Sequence, residues 1–355
     1  MLILEVLAVP LTWRKVHGGA EFEWIGYFMD LGRFELGISA SRAAWVIRWL
    51  DERVLERKAC LGELREGLGR LQFAAGPLEH LRPLLGPLYA GACCGPRHAR
   101  PLLPPMIMII MTFLSGEIRK SRMSGCRERG KDAGELFRLD AKAQGEEVAI
   151  GGWRTLEGKP TKEAAWFAVR LTRKTAPWAF ARGETFRVVA SLELLGVLVG
   201  VMTLMPKEEW KRPWESTGLI TIGCGTDNQG NSYLLDKLMT TKYPLGLILI
   251  ELSHQLSLRR AALRADWVPR LQNEEADSLT NSDYRHFSPE NRIEVDLEKL
   301  EFGVLDRLLE VGEAFHAERE ARRDAEKVVR DAGQGPGAGK RRRAAGTSLR
   351  ERDPW

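Results

Sequence analysis

From Val188 to Met205 the chain carries a single charged side chain, Glu193, inside a stretch (VVASLELLGVLVGVMTLM) that is otherwise apolar nearly all round. A helix of that composition has no polar face to offer water, so it belongs in the interior of a layered fold. A lone carboxylate buried there costs several kcal/mol unless it is paired, metal-bound or protonated. The fold therefore has to bring Glu193 a partner. Three further acids in the second half of the chain sit in comparable places. Asp140 lies inside the strand-like FRLDAKA, flanked by Phe137 and Leu139. Asp227 comes after the apolar strand LITIGCG at its C-terminal end, where open α/β sheets tend to place ligands. Asp277 comes shortly after Asn273, a plausible helix cap, and so falls in a first helical turn.

Each acid alone has a plainer reading: Asp140 as a surface strand residue, Asp227 and Asp277 as turn or cap residues, Glu193 on an exposed helical stripe. Taken together they can converge, and clustered carboxylates repel one another, so they need cations. Hard oxygen ligands select Mg²⁺ or Mn²⁺. Two such ions about 4 Å apart activate water and stabilise a leaving oxygen in phosphodiester hydrolysis.

The surrounding pattern is mixed. LFRLDAKAQGEEVAIGGW reads as strand, glycine-containing turn, strand, and AAWFAVRL as a third strand. Next come the helix of Glu193, the strand LITIGCG, a loop and helix over TDNQGNSYLLDKLMT, the apolar helix YPLGLILIELSHQLS, the strand LRADWVP and a helix starting at NEEADSLTN. Strands in a run, then strands alternating with helices, predict an α/β fold on a mixed sheet with an antiparallel beginning. Upstream, the first 35 residues read as β-rich, with a turn near Gly18-Gly19. A helix begins after Ser39, a second covers Leu61–Ala74, and Pro104-Pro105 opens a third. From Ile293, apolar residues at Leu297, Leu300, Val304, Leu308, Val311 and Phe315 recur at spacings of three and four, which predicts a docking helix or a coiled coil.

Composition narrows the class further. With 355 residues, 44% hydrophobic and 28% charged, the chain can bury a substantial core and lies far from disordered compositions. A net charge of +5 suits a polyanionic partner without requiring one. Five scattered cysteines do not form a disulfide framework or a zinc pattern, which places the chain in a reducing, intracellular setting, nuclear or cytoplasmic. The apolar run Met106–Leu114 is too short to span a bilayer, and MLILEVLAVPL lacks the basic start of a signal peptide, so no membrane role is expected.

The blocks LFRLDAKAQGEEVAIGG, SLELLGVL, IGCGTDNQGNSYLL and WVPRLQNEEADSLTN resemble the four acidic blocks of the ribonuclease H domain, in the version joined to retrotransposon reverse transcriptases. TDNQGNSY together with NEEADSLTN is the more specific part. The resemblance implies a ribonuclease H-like, five-stranded mixed sheet with flanking helices and two-metal endonucleolytic cleavage of RNA paired to DNA. Asp140, Glu193, Asp227 and Asp277 would ligate two Mg²⁺ (or Mn²⁺) ions. One departure stands out. Cellular ribonucleases H carry a His shortly before the last acid, whereas Val268–Gln272 contains none, and His254 lies far upstream in a predicted helix.

The segment PLTWRKVHGGAEFEWIGYFMDLGRFELGISASRAAWVIRWLDE resembles the stretch after a reverse transcriptase's catalytic palm: a glycine-containing aromatic hairpin and a helical thumb. That resemblance implies that Trp24 and Tyr27 touch a nucleic-acid backbone and that Arg14 and Lys15 meet phosphates. The alternative for Trp24, as for Phe28, Trp45 and Trp49, is a place in the core. No Asp-Asp dipeptide occurs in the chain, so polymerase activity is not expected. The expected organisation is a palm-end and thumb-like remnant over 1–118, a basic linker over 119–134 with Arg119, Lys120 and Arg122 as phosphate partners, and a ribonuclease H-like domain over 135–290. A helical extension over 291–330 and a disordered basic tail over 331–355 complete it. Against the nuclease stand two alternatives: a catalytically inactive nucleic-acid-binding remnant, and another nuclease or recombinase on the same sheet.

Overall fold

The computed structural model describes residues 18–92, 95–126, 132–155, 158–181, 188–205 and 219–332, with side chains of the last helix described to residue 325. Arg14, Lys15 and the rest of residues 1–17, and the basic tail from residue 333 onward, lie outside the described residues.

The first region holds a four-stranded antiparallel sheet, β1 (Glu21–Trp24), β2 (Tyr27–Asp30), β3 (Glu35–Ile38) and β4 (Met123–Gly125), in that order. Between β3 and β4 run α1 (Ala40–Glu56), α2 (Leu61–Ala74), α3 (Arg82–Ala92) and α4 (Pro105–Lys120). Local sequence explains the helices. Ser39 accepts a hydrogen bond from the Arg42 N–H at 3.4 Å and starts α1, whose Ala43, Val46, Trp49 and Leu50 face inward. Pro105 opens α4, and Met106, Ile107, Ile110, Met111, Leu114 and Ile118 form its buried stripe.

The second region is a five-stranded mixed sheet in the order β7 (Trp166–Leu171), β6 (Glu147–Arg154), β5 (Asp132–Gln144), β8 (Ile220–Thr226), β9 (Ala261–Trp267). β5, β6 and β7 pair antiparallel, and β5–β8 and β8–β9 pair parallel. Helix α5 is the single turn Pro177–Phe180. Helices α6 (Val189–Thr203), α7 (Gln229–Lys237), α8 (Leu245–Leu258) and α9 (Glu274–Thr280) flank the sheet. The protein is thus α/β, and its mixed sheet with flanking helices fits a ribonuclease H-like fold. Each face of β5 and β6 has its own cover. Phe137 and Leu139 face α6, where Gly200 lets the helix come close. Asp140, Gly151 and Trp153 share the other face with α9. Gly151 stands opposite Asp140, and a Cβ there would lie 2.7 Å from the Leu279 Cβ, so the missing side chain lets α9 settle beside Asp140.

Two expectations need correction. The basic segment 119–134 is not wholly a linker: Arg119 and Lys120 end α4, and Met123–Gly125 pairs with β3. The pairing of β3 with β4 is made by main-chain hydrogen bonds, which need no apolar alternation. The helical extension also starts later. Residues 293–304 form a strap containing one 3₁₀ turn, Leu297–Lys299, capped by the Asp296 carboxylate, and α10 (Leu305–Ala332) comes next. Ile293, Val295, Leu297, Leu300 and Phe302 pack on the core from the strap, so their spacing arises without a helix. At the start of α10 the fully buried Glu251 of α8 accepts from the backbone N–H groups of Gly303, Val304 and Leu305 at 2.8, 2.9 and 3.1 Å. A side chain from another helix thereby satisfies amides that a helix end leaves open.

Candidate active site at the carboxyl ends of the sheet

Sheet register alone brings two of the acids side by side. β5 runs parallel to β8 with Arg138 level with Gly225, so Asp140 lies two residues further along β5 and Asp227 two residues further, just past the end of β8. Asp140 is buried and accepts a hydrogen bond from the Thr280 hydroxyl at 2.8 Å. Burial, reinforced by the Asp227 and Asp277 carboxylates, pushes its pKa up to about 6 despite that bond.

Glu193 is brought in by α6. Its Oε2 accepts from the Asn231 side-chain amide at 3.2 Å and from the Thr226 hydroxyl at 3.4 Å. Asn231, itself buried, also donates to the Ala190 carbonyl at 3.1 Å and so ties α7 to the start of α6. Burial pushes the Glu193 pKa up to about 8, against a hydrogen bond from Asn228, with Asp227 and Asp140 adding repulsion. The buried carboxylate to which the sequence assigns no partner therefore has neutral donors and two acidic neighbours.

Asp227 comes directly after β8 and leads into α7, which Asn228 caps by accepting from the N–H groups of Gly230 and Asn231. Asp277 lies in the first turn of α9 and accepts from Asn281 at 2.9 Å and from the exposed Arg270 at 3.5 Å. Asn273 does not cap α9 through its side chain, contrary to expectation. It donates instead to the Leu139 carbonyl at 3.0 Å, beside Asp140, and its own side-chain oxygen is buried without a partner.

Electrostatics link the acids in pairs: Asp140 feels Asp227 and Asp277, and Glu193 feels Asp227 and Asp140. They do not form a closed coordination sphere. Among the described residues no three His, Cys, Asp or Glu side chains lie close enough to hold one metal ion. Glu193, Asp140 and Asp277 are each engaged with their own hydrogen-bonding partners. In chemistry the donor set fits a hard divalent cation, because it offers carboxylate oxygens, and the two buried acids have other carboxylates as neighbours. Thr226, Asn231 and Thr280, which hold two of the acids, carry no periodic or charge signal in sequence. Only the adjacency of Thr226 and Asn231 to Asp227 around TDNQGNSY points to them.

The remaining predicted contacts stand elsewhere. Trp24 is exposed at a hairpin tip. Tyr27 stacks on Phe73 with ring centroids 4.3 Å apart, and burial raises its pKa. Arg119 pairs with Asp51 and donates to Ser115, and Lys120 pairs with Glu117 at 2.7 Å. Arg122 lies over Phe28 and donates to the Ile38 carbonyl at 2.8 Å. All three cations have partners within the protein, and Arg119 and Lys120 remain exposed to solvent. His254, on α8, is buried against Glu117 at 3.2 Å. Among the described residues no helix is long and apolar enough to cross a membrane.

Comparison with known proteins adds little to this geometry. No protein-family model matches the chain, and no curated protein matches it. Among solved structures it is similar to RNase H1 from the halophilic archaeon Halobacterium salinarum NRC-1, at 17% identity and a TM-score of 0.28, over 42% of this chain and 97% of that one. At that score the likeness carries no weight beside the strand order itself.

Proposed function

We propose that this chain is a divalent-metal-dependent endonuclease that hydrolyses RNA paired to DNA, and that it belongs to a retrotransposon reverse transcriptase lacking its polymerase centre. The observation that supports this most is the convergence of Asp140 and Glu193, both buried and both destabilised by neighbouring carboxylates, on Asp227 at the end of β8. Acids kept in such a place without a basic partner are at home next to bound cations. Asp140, Glu193, Asp227 and Asp277 would hold Mg²⁺ or Mn²⁺. The bound ions would supply an activated water and a charge stabiliser for the departing ribose oxygen. The protein's own part is to fix Glu193 through Asn231 and Thr226, and Asp140 through Thr280.

The test is incubation of the chain with a labelled RNA–DNA hybrid in Mg²⁺ and, separately, in EDTA. Wild type cuts the RNA strand only with Mg²⁺, and Asp227→Asn abolishes cutting. The second reading is a nucleic-acid-binding remnant without catalysis. It is favoured by the open arrangement of the acids and by the missing His between Val268 and Gln272. Hybrid binding with no cutting in Mg²⁺ would establish it, and cutting of duplex DNA would replace both.

A further inference from the structure

The connection from β9 to α9 runs along the rim of the carboxylate neighbourhood. At one end Trp267 stands level with Thr226 on the neighbouring strand, and its indole N–H donates to the Asp227 carbonyl at 3.2 Å. At the other end Arg270 reaches Asp277. Directly after Arg270, Leu271 projects into solvent. Trp267 is 55% exposed, an unusual position for the largest apolar side chain. It is not a loose surface ring, because the bond to Asp227 fixes one edge and leaves ring surface open to solvent beside the acids.

We propose that Trp267 is a stacking platform for an unpaired nucleotide bordering the duplex, so that the preferred substrate is a hybrid with a single-stranded flank. This rests on the nuclease reading given above and names its substrate more narrowly. A ring face can stack only on a base whose own face is uncovered, and bases inside a hybrid duplex are covered by their neighbours. An aromatic platform therefore selects an unpaired flanking nucleotide rather than continuous duplex. Stacking needs no sequence, because every base has a π face. The neighbouring Arg270 supplies a cation on the same rim for the flanking backbone.

The experiment measures binding by fluorescence anisotropy in EDTA, where no cutting occurs, using labelled blunt RNA–DNA hybrid and the same hybrid carrying a four-nucleotide (about one OB-fold site at its smallest) RNA overhang. Wild type should bind the overhang form about tenfold more tightly. Trp267→Ala should erase that difference while leaving blunt-hybrid affinity and the salt slope unchanged. Trp267→Phe should keep most of it. Equal preference in wild type and Trp267→Ala overturns the proposal, as does equal loss in Trp267→Ala and Trp267→Phe with a lowered melting temperature, which marks a structural role. The two readings fail separately. An overhang preference lost in Trp267→Ala, with no cutting in Mg²⁺, retains the platform and removes the nuclease. Metal-dependent cutting with no overhang preference does the reverse.

Discussion

Two buried glutamates in different parts of the molecule have contrasting surroundings. Glu117, on α4, is held between His254 at 3.2 Å and Lys120 at 2.7 Å. Burial works against its charge, but those bonds hold its pKa down to about 2. Glu193, on α6, has only neutral donors and acidic neighbours, and burial drives its pKa up to about 8. Both are equally hidden from water. The difference lies in compensation: Glu117 ties the helical region to α8, whereas Glu193 has no basic partner to hold its ionised form, a part that a bound cation could play. Burial alone therefore does not mark a functional acid; the sign of its surroundings does.

The comparison breaks most readily at Asp140. Asp140→Asn should cut the rate of hybrid cleavage by about a thousandfold or more in single-turnover assays, because ligands to a shared metal act jointly. A loss below tenfold would return the acids to a structural role. Next in size is stability. Glu117→Ala should cost about 3 kcal/mol in urea unfolding at pH 7, since it leaves His254 buried beside an empty place. Glu193→Gln should instead stabilise the metal-free protein at pH 8, on the order of 2 kcal/mol.

The pH dependence has opposite signs at the two places. The Glu117 contribution is present above about pH 4.5, its ordinary value, and is lost as pH falls towards 2. The cost of Asp140 and Glu193 grows as pH rises from their ordinary values, 3.8 and 4.5, towards about 6 and about 8. Metal-free wild type should therefore lose stability between about pH 4 and 8, the span of those shifts, and Glu193→Gln should flatten that decline. Mg²⁺ at a hundredfold its dissociation constant should restore about 2.7 kcal/mol, measured by thermal melting, but not in Asp140→Asn. Smallest is Asn231→Leu, expected to weaken Mn²⁺ binding about tenfold by releasing Glu193; an unchanged affinity would remove Asn231 from the site's support.

Much of this architecture is legible in sequence wherever side-chain pattern and burial coincide. The apolar run around Glu193, the strand preceding Asp227 and the cap at Ser39 all arise from local rules. The features that sequence does not betray rest on the backbone or on distant contacts. β4 forms by main-chain pairing within a basic segment, and the strap 293–304 mimics helical spacing with only one 3₁₀ turn in it. At the site, the elements that carry the acids can be anticipated: a strand for Asp140, a buried helix for Glu193, a strand end for Asp227 and a first helical turn for Asp277. Their holders Thr280 and Asn231 cannot, because a hydrogen bond between residues 140 apart, or 38 apart, leaves no periodic trace.

Glu251 sets the practical limit on dissecting this molecule. Its carboxylate is enclosed and answered by three amides at the head of the C-terminal helix. A fragment trimmed to the sheet and ending before residue 305 would keep the acid and discard part of its neutralising shell. The C-terminal helix is thus a keystone of the sheet-bearing half rather than an appendage, and any shortened version meant to fold alone must retain it.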